Sequence, residues 1–288
     1  MKKLSNHFNL RKSLIHFLQE DVGLGDITTE NLKNSNKSVS AKIIFKSNFI
    51  GIVCGIEEVQ VLFDICNCTS TPHMLDGMKI SPKANIMEIY GTASDLLKAE
   101  RIALNLLMRM SGIATITRKF VDIVHQIDPL ISIASTRKTA PGLRLFDKKA
   151  VVIGGGISHR FRLDDMVMIK DNHIVVDKSI RKIIPLIRGK IGSSIQIECE
   201  VKNDREAIDA IEAGANIIML DNFSILEAKK TLLKIKDKGL RNIVKIEISG
   251  GINLKNIVDY AKLKPDIISI GYLTHSAPSL DFSLKIID

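Results

Sequence analysis

The 288-residue chain has no tryptophan and three tyrosines. That is too little aromatic surface for platforms on which nucleic-acid bases stack, and its lysines are scattered rather than gathered into an arm. A nucleic-acid-binding protein is therefore not expected, although Lys+Arg exceed Asp+Glu by 41 to 32, a formal charge of +9. Cysteine is sparse: Cys54, Cys66, Cys68 and Cys199 are too few for a disulfide framework in so long a chain. Reduced, buried thiols in the cytoplasm are expected instead. Cys66-Asn67-Cys68 lacks a histidine at finger spacing, which argues against a zinc site. No run approaches the roughly 18 apolar residues of a membrane span. Asn6, His7, Asn9, Arg11 and Lys12 follow the basic start Met1-Lys2-Lys3-Leu4 and leave no apolar signal-peptide segment. What remains is an ordinary globular composition, 45% hydrophobic and 25% charged. Its length allows one large domain or two, and its positive surplus suits small phosphorylated or carboxylated substrates.

Leu10, Leu14, Phe17 and Leu18 recur at helical spacing, so Asn9–Gln19 is expected as an amphipathic helix. Alternation through Val39, Ala41, Ile43 and Phe45 marks a strand. Ile52-Val53-Cys54, between Gly51 and Gly55, marks a second, and Ile86–Tyr90 a third ending at Gly91. A short helix is expected over Glu57–Phe63. Together these read as a small α+β unit. A long helix follows, capped by Thr92 or Ser94 and carrying Leu97, Leu104, Leu107 and Met108. Gly112 is expected to interrupt it before a second helix with Phe120, Ile123 and Val124.

Beyond that point short apolar runs recur at Ile131–Ala134, Met166–Ile169, Ile195–Val201, Ile217–Leu220, Val244–Ile248 and Ile267–Ile270. Helix-like segments such as Asp204–Ala213, Ser224–Lys236 and Leu254–Leu263 separate them. Continuous apolar runs are the mark of parallel strands buried on both faces, and their alternation with helices implies right-handed βαβ units. The runs end in polar groups: Arg137-Lys138, Lys170-Asp171-Asn172-His173, Glu198 and Glu200, Asp221-Asn222, Ser249-Gly250-Gly251, and Gly271 with Thr274-His275. A doubly wound sheet gathers ligand residues mainly at one switch point. Polar groups at six carboxyl ends favour a β/α barrel with its site at the top, and six strands rather than eight make it incomplete.

Arg137 offers a planar fork that fits a carboxylate and Lys138 a point charge that suits phosphate; a solvated basic turn is the alternative. Gly154-Gly155-Gly156 has neither Walker nor Rossmann spacing, so a structural turn is at least as good a reading, while His159-Arg160 adds cationic lining. Glu198 and Glu200 share a strand face by period two and Asp221 ends the next strand. These carboxylates could hold Mg²⁺ directly or through its waters, or pair with the cations nearby. Ser249-Gly250-Gly251 and the loop from Gly271 to His275 have the make-up of a late-barrel phosphate cradle. Arg101, inside the long helix and taken by itself, reads as a snorkelling surface cation.

In order and spacing these motifs, together with Glu20-Asp21, Gly25-Asp26-Ile27-Thr28, Glu100-Arg101, Asn105 and Ser111-Gly112-Ile113-Ala114-Thr115, resemble the quinolinate phosphoribosyltransferases over nearly the whole chain. The resemblance implies an α/β protein: an N-terminal open-faced α/β sandwich (1–112), an incomplete β/α barrel (113–272), and a final segment (273–288) that returns to the sandwich. It implies a homodimer, or a hexamer built from dimers, whose active sites lie between subunits. The reaction joins quinolinate to phosphoribosyl pyrophosphate with Mg²⁺, giving nicotinate mononucleotide, pyrophosphate and CO₂ in NAD synthesis. By resemblance the quinolinate pocket falls on Arg137, His159, Arg160 and Lys170, with Arg101 supplied across the dimer. Phosphoribosyl pyrophosphate and its Mg²⁺ fall on Lys138, Glu200, Asp221, Ser249, Gly250, Gly251, Gly271 and His275. A sister enzyme acting on nicotinate, or one of the molybdenum-transport-associated group, is the competing expectation. A single carboxylate needs fewer cations than this chain retains.

Overall fold

Ala41, Ile43 and Phe45 alternate with Ser40, Lys42 and Ile44, and the strand they form buries the first set completely. In the computed structural model, which describes residues 10–177 and 179–287, the chain divides into two units, Met1–Ile116 with Ala277–Asp288 and Thr117–Ser276. Asn9 and the basic start lie outside the described residues.

In the first unit, strands β1 (Ser38–Phe45), β3 (Thr69–Pro72), β5 (Asn85–Thr92) and β12 (Phe282–Ile287) form an antiparallel sheet in the order β12-β1-β5-β3. The carboxyl-terminal strand thus pairs with β1, and Phe282 sits opposite Phe45 with ring centroids 5.1 Å apart. One face is buried. On the other Lys42 faces Glu88 across the ladder, 3.3 Å apart. Helices α1 (Leu10–Val22) and α3 (Ile56–Ile65) pack together, burying Leu14, Leu18, Val59, Leu62 and Phe63; a single turn, α2 (Ile27–Glu30), lies between them in the chain. The second strand is shorter than expected: β2 is Gly51–Ile52, paired with β4 (Lys79–Ile80). Cys54 leaves the ladder because Ser111 takes its backbone, accepting from the Cys54 N–H at 3.0 Å and donating to its carbonyl at 3.1 Å.

Ser111 belongs to α4 (Ala93–His125), a single unbroken helix of 33 residues, so the interruption expected at Gly112 does not occur. Glycine within a helix costs about 1 kcal/mol relative to alanine, and here a close approach requires it. A Cβ at Gly112 would lie 2.1 Å from the Pro278 carbonyl oxygen. The carboxyl-terminal segment crosses the helix at that point, and the Leu280 N–H donates to the Met108 carbonyl. Thr115, one turn on from Ser111, accepts from the Ile52 N–H at 2.8 Å. In this chain Ser111-Gly112-Ile113-Ala114-Thr115 therefore holds the fold.

The second unit carries six parallel strands: β6 (Ser132–Ala134), β7 (Val167–Ile169), β8 (Ile197–Val201), β9 (Ile217–Asp221), β10 (Lys245–Ser249) and β11 (Ile267–Ser269). Their order, β6-β11-β10-β9-β8-β7, places each strand from β7 onward beside the next and joins the last to the first. A doubly wound sheet would reverse direction. This one does not, and it is a partial β/α barrel. On the far side of β6, Ile157 adds a one-residue parallel bridge to Ala134. The helices are α5 (Arg144–Ile153), α6 (Asp171–Asp177), α7 (Ile180–Ile191), α8 (Asp204–Glu212), α9 (Ile225–Asp237), α10 (Ile257–Ala261) and α11 (Tyr272–His275). The helix expected over Leu254–Leu263 shortens to α10 because the Asn253 and Asn256 side chains bind nearby amides and hold 253–256 in turns. All four cysteines are buried, and burial raises the thiols of Cys68 and Cys199. Among the described residues no helix is long and apolar enough to cross a membrane.

Candidate active site

The carboxyl ends of the six strands and the turn after α5 line a cavity of about 400 Å³. From the end of β6 come Ser135, Thr136, Arg137 and Lys138. Thr136 accepts from the Lys138 N–H at 3.1 Å, and Thr274 on α11 donates to the Lys138 carbonyl at 2.8 Å, so the basic turn is pinned from both sides. His159 and Arg160 enter from the turn that follows Gly154-Gly155-Gly156. The glycines are structural: a Cβ at Gly156 would meet the Ile133 carbonyl oxygen at 2.9 Å. Arg160 is buried, and its guanidinium donates to the carbonyls of Arg162 and Leu163 at 3.2 Å. Burial, and the nearby Arg137, lower its pKa. Arg137, Lys138, His159, Arg160 and Lys170 thus share one cavity, a concentration of positive charge that calls for an anion.

The same cavity is lined by Glu200 from β8, Asp221 and Asn222 from β9, and Ser249-Gly250-Gly251 from β10. Lys170 pairs with Glu200, so part of the anticipated ion-pair network is present. Asp221 accepts from the Asn222 side-chain amide at 2.8 Å. Gly250 has φ +92°, and a Cβ there would lie 2.2 Å from Asn222 Oδ1; Gly251 follows at φ +62°. Two successive left-handed glycines keep this loop free of side chains beside Asp221. Glu200 and Asp221 offer hard oxygen donors at the rim, and Mg²⁺ takes one or two carboxylates and keeps several waters. The donor set fits that ion.

Glu198, grouped with Glu200 and Asp221 by its spacing, lies elsewhere. It is fully buried behind the lining, beside Glu247, which itself lines the cavity, and His159 Nε2 stands 2.8 Å from Glu247 Oε2 and 3.4 Å from Glu198 Oε2. Burial and the neighbouring Glu247 push the Glu198 carboxyl up to about 9, so it keeps its proton at neutral pH. Neither Glu198 oxygen has a hydrogen-bond partner. His159 holds a left-handed backbone, φ +51°, over this pair. Glu247 went unread in the sequence, yet it sits two residues before Ser249 in an apolar strand, the same period that relates Glu198 to Glu200. Lys148 was also missed: it is fully buried on α5 and donates to the carbonyls of Ser158 and Arg160.

Three expected residues do not line the cavity. Gly271 and His275 pack against each other, and a Cβ at Gly271 would meet the His275 ring at 3.1 Å and Lys138 Cδ at 3.3 Å, which places Gly271 behind Lys138. Arg101 is exposed on α4 in the first unit and has no ion-pair partner among the described residues.

The family model described as quinolinate phosphoribosyl transferase, C-terminal domain, matches residues 113–285, and its N-terminal counterpart matches residues 26–111. A probable nicotinate-nucleotide pyrophosphorylase [carboxylating] of Archaeoglobus fulgidus is 41% identical over 263 residues, covering 91% of this chain and 98% of that protein. The nicotinate-nucleotide pyrophosphorylase [carboxylating] of Homo sapiens is 38% identical, covering 82% of this chain and 79% of its own. The crystal structure of nicotinate-nucleotide pyrophosphorylase from Ehrlichia chaffeensis superposes with a TM-score of 0.89 at 35% identity, covering 98% of this chain and all of that one (100%).

Proposed function

The chain belongs to the quinolinate phosphoribosyl transferase family, and from that premise we propose how its cavity works. It is a pentosyltransferase: it moves the phosphoribosyl group of phosphoribosyl pyrophosphate onto quinolinate with loss of CO₂, giving nicotinate mononucleotide and pyrophosphate. The observation that carries the assignment of the site is one cavity lined by Arg137, His159, Arg160 and Lys170 together with Glu200, Asp221 and the Ser249-Gly250-Gly251 loop.

Quinolinate carries two adjacent carboxylates, and stripping a dianion of water is prohibitive unless fixed cations replace that water. Arg137, Arg160 and Lys170 do so, with His159 beside them. Lys138 and the glycine loop hold the pyrophosphate end of the co-substrate, and Gly271 and His275 support Lys138 from behind. Glu200 and Asp221 would hold Mg²⁺, whose charge would offset that of the pyrophosphate leaving group. As the leaving group departs, positive charge grows at the anomeric carbon, and the same two carboxylates stabilise it. The ring nitrogen closes on that carbon, its positive charge then stabilises the electron pair left when CO₂ departs, and that ring carbon takes up a proton from solvent. Positioning and charge supply most of the rate.

Arg101, an exposed and unpaired cation on a helix, completes the quinolinate pocket of a second copy. The protein is a homodimer in this reading, and its buried cysteines suit the reducing cytoplasm. Arg101→Ala and Lys138→Ala proteins, each inactive, should regain activity when mixed; failure despite proven subunit exchange removes the shared site. The direct test is pyrophosphate release with phosphoribosyl pyrophosphate and Mg²⁺. Quinolinate should support it and nicotinate should not, and Arg137→Ala should raise the quinolinate KM roughly 100-fold or more. Equal turnover of nicotinate, or normal kinetics in the variant, refutes the assignment.

A further inference from the structure

Lys148 lies on α5 with Phe146, Ala150 and Val151 buried around it, and none of its own surface is exposed. Its Nζ donates to the carbonyl of Ser158 and, at 3.0 Å, to that of Arg160. These two carbonyls flank His159, whose φ of +51° is a conformation that residues with a Cβ adopt only when their surroundings enforce it. Ser135 donates to the same Ser158 carbonyl at 3.1 Å, and Arg144, one turn before Lys148, donates to the Phe161 carbonyl at 3.2 Å. The main chain is therefore clamped at 158, 160 and 161, on both sides of the two residues that line the cavity. Stability does not explain a buried lysine, since methionine would fill the same volume without burying a polar group. Burial and the nearby Arg144 lower its pKa to about 7, and what the amino group adds is a pair of donors aimed at two nearby carbonyls.

We propose that Lys148 is a positioning residue for the quinolinate half of the site: it fixes the Ser158–Arg160 turn so that His159 and Arg160 meet the diacid already in place. The inference rests on the function proposed above. It bears first on quinolinate, because Lys148 bonds the turn that carries His159 and Arg160, whereas phosphoribosyl pyrophosphate is assigned to Lys138, Glu200, Asp221 and the Ser249-Gly250-Gly251 loop.

The test varies quinolinate and phosphoribosyl pyrophosphate separately in steady-state assays of wild type, Lys148→Met and Lys148→Gln, with thermal melts to establish which variants fold. Loss of two buried hydrogen bonds should raise the quinolinate KM of Lys148→Met roughly 10- to 100-fold, with the other KM within about twofold and kcat less affected. Lys148→Gln, which keeps a donor, should fall between. Ser135→Ala, which removes the other donor to the Ser158 carbonyl, should raise the same KM a few-fold, and it carries the test if neither Lys148 variant folds. An unchanged quinolinate KM, or both KM values rising together, overturns the positioning role. A wild-type protein that releases no pyrophosphate with quinolinate overturns the functional reading instead, so the two failures are distinct.

Discussion

Replacing Glu198 by Gln removes a titrating proton from the floor of the cavity with little change of shape. The side chain is fully buried, and its carboxyl titrates at about 9 rather than the ordinary 4.5 because burial and the adjacent Glu247 both oppose ionisation. At pH 7 the unfolded chain has released this proton while the folded chain still holds it. The folded state binds more protons, so stability falls as pH rises from about 4.5 towards 9. Two and a half pH units at about 1.4 kcal/mol each give a loss of about 3 kcal/mol at pH 7. Glutamine never ionises and escapes that loss. Glu198→Gln is therefore expected to match wild type near pH 4 and to melt roughly 5–10 °C higher at pH 7, with the gap widening towards pH 9. Scanning calorimetry across pH 4–9 in metal-free buffer reads this directly. A variant that melts at or below wild type at pH 7, or a difference that does not change with pH, refutes the assignment of a protonated carboxyl at this position.

Three further outcomes follow from particular contacts. Gly112→Ala gains about 1 kcal/mol of helix propensity, but its methyl would lie 2.1 Å from the Pro278 carbonyl. Urea denaturation should show a net loss of roughly 2 kcal/mol or more, and a stabilised variant would remove the close-approach explanation. Gly250→Ala places a Cβ 2.2 Å from Asn222 Oδ1 at φ +92°. It should raise the KM for phosphoribosyl pyrophosphate by at least about tenfold while leaving quinolinate binding near normal. Chelation of divalent metal should abolish turnover, and Asp221→Asn should require roughly tenfold more Mg²⁺ for half-maximal rate; full activity in chelator argues against the metal assignment.

The parallel strands were legible because burial on both faces leaves an unbroken apolar run, and all six runs became strands. Arg137, Lys138, Lys170, Glu200, Asp221 and Ser249-Gly250-Gly251 were legible because each stands where such a run stops, which in a barrel is the mouth. Polar strands escaped notice: Thr69–Pro72 has no apolar alternation and forms β3 through pairing with β5 alone. Glu247 and Lys148 were readable in principle, one by period two in a strand and the other by its place on the buried face of α5, but a charge among apolar residues carries no hint of its partner.

Local chemistry, then, determined which segments are strands and which charges gather at their ends, because burial pattern and strand direction act over a few residues. Only the tertiary structure decided that α4 runs unbroken through Gly112, since the reason is a carbonyl at Pro278 far along the chain. It also separated Glu198 from Glu200, giving one residue a proton to keep and the other a lysine to pair with. Water reaches the rim and not the floor, and no reading of adjacent residues reveals which depth a side chain will occupy.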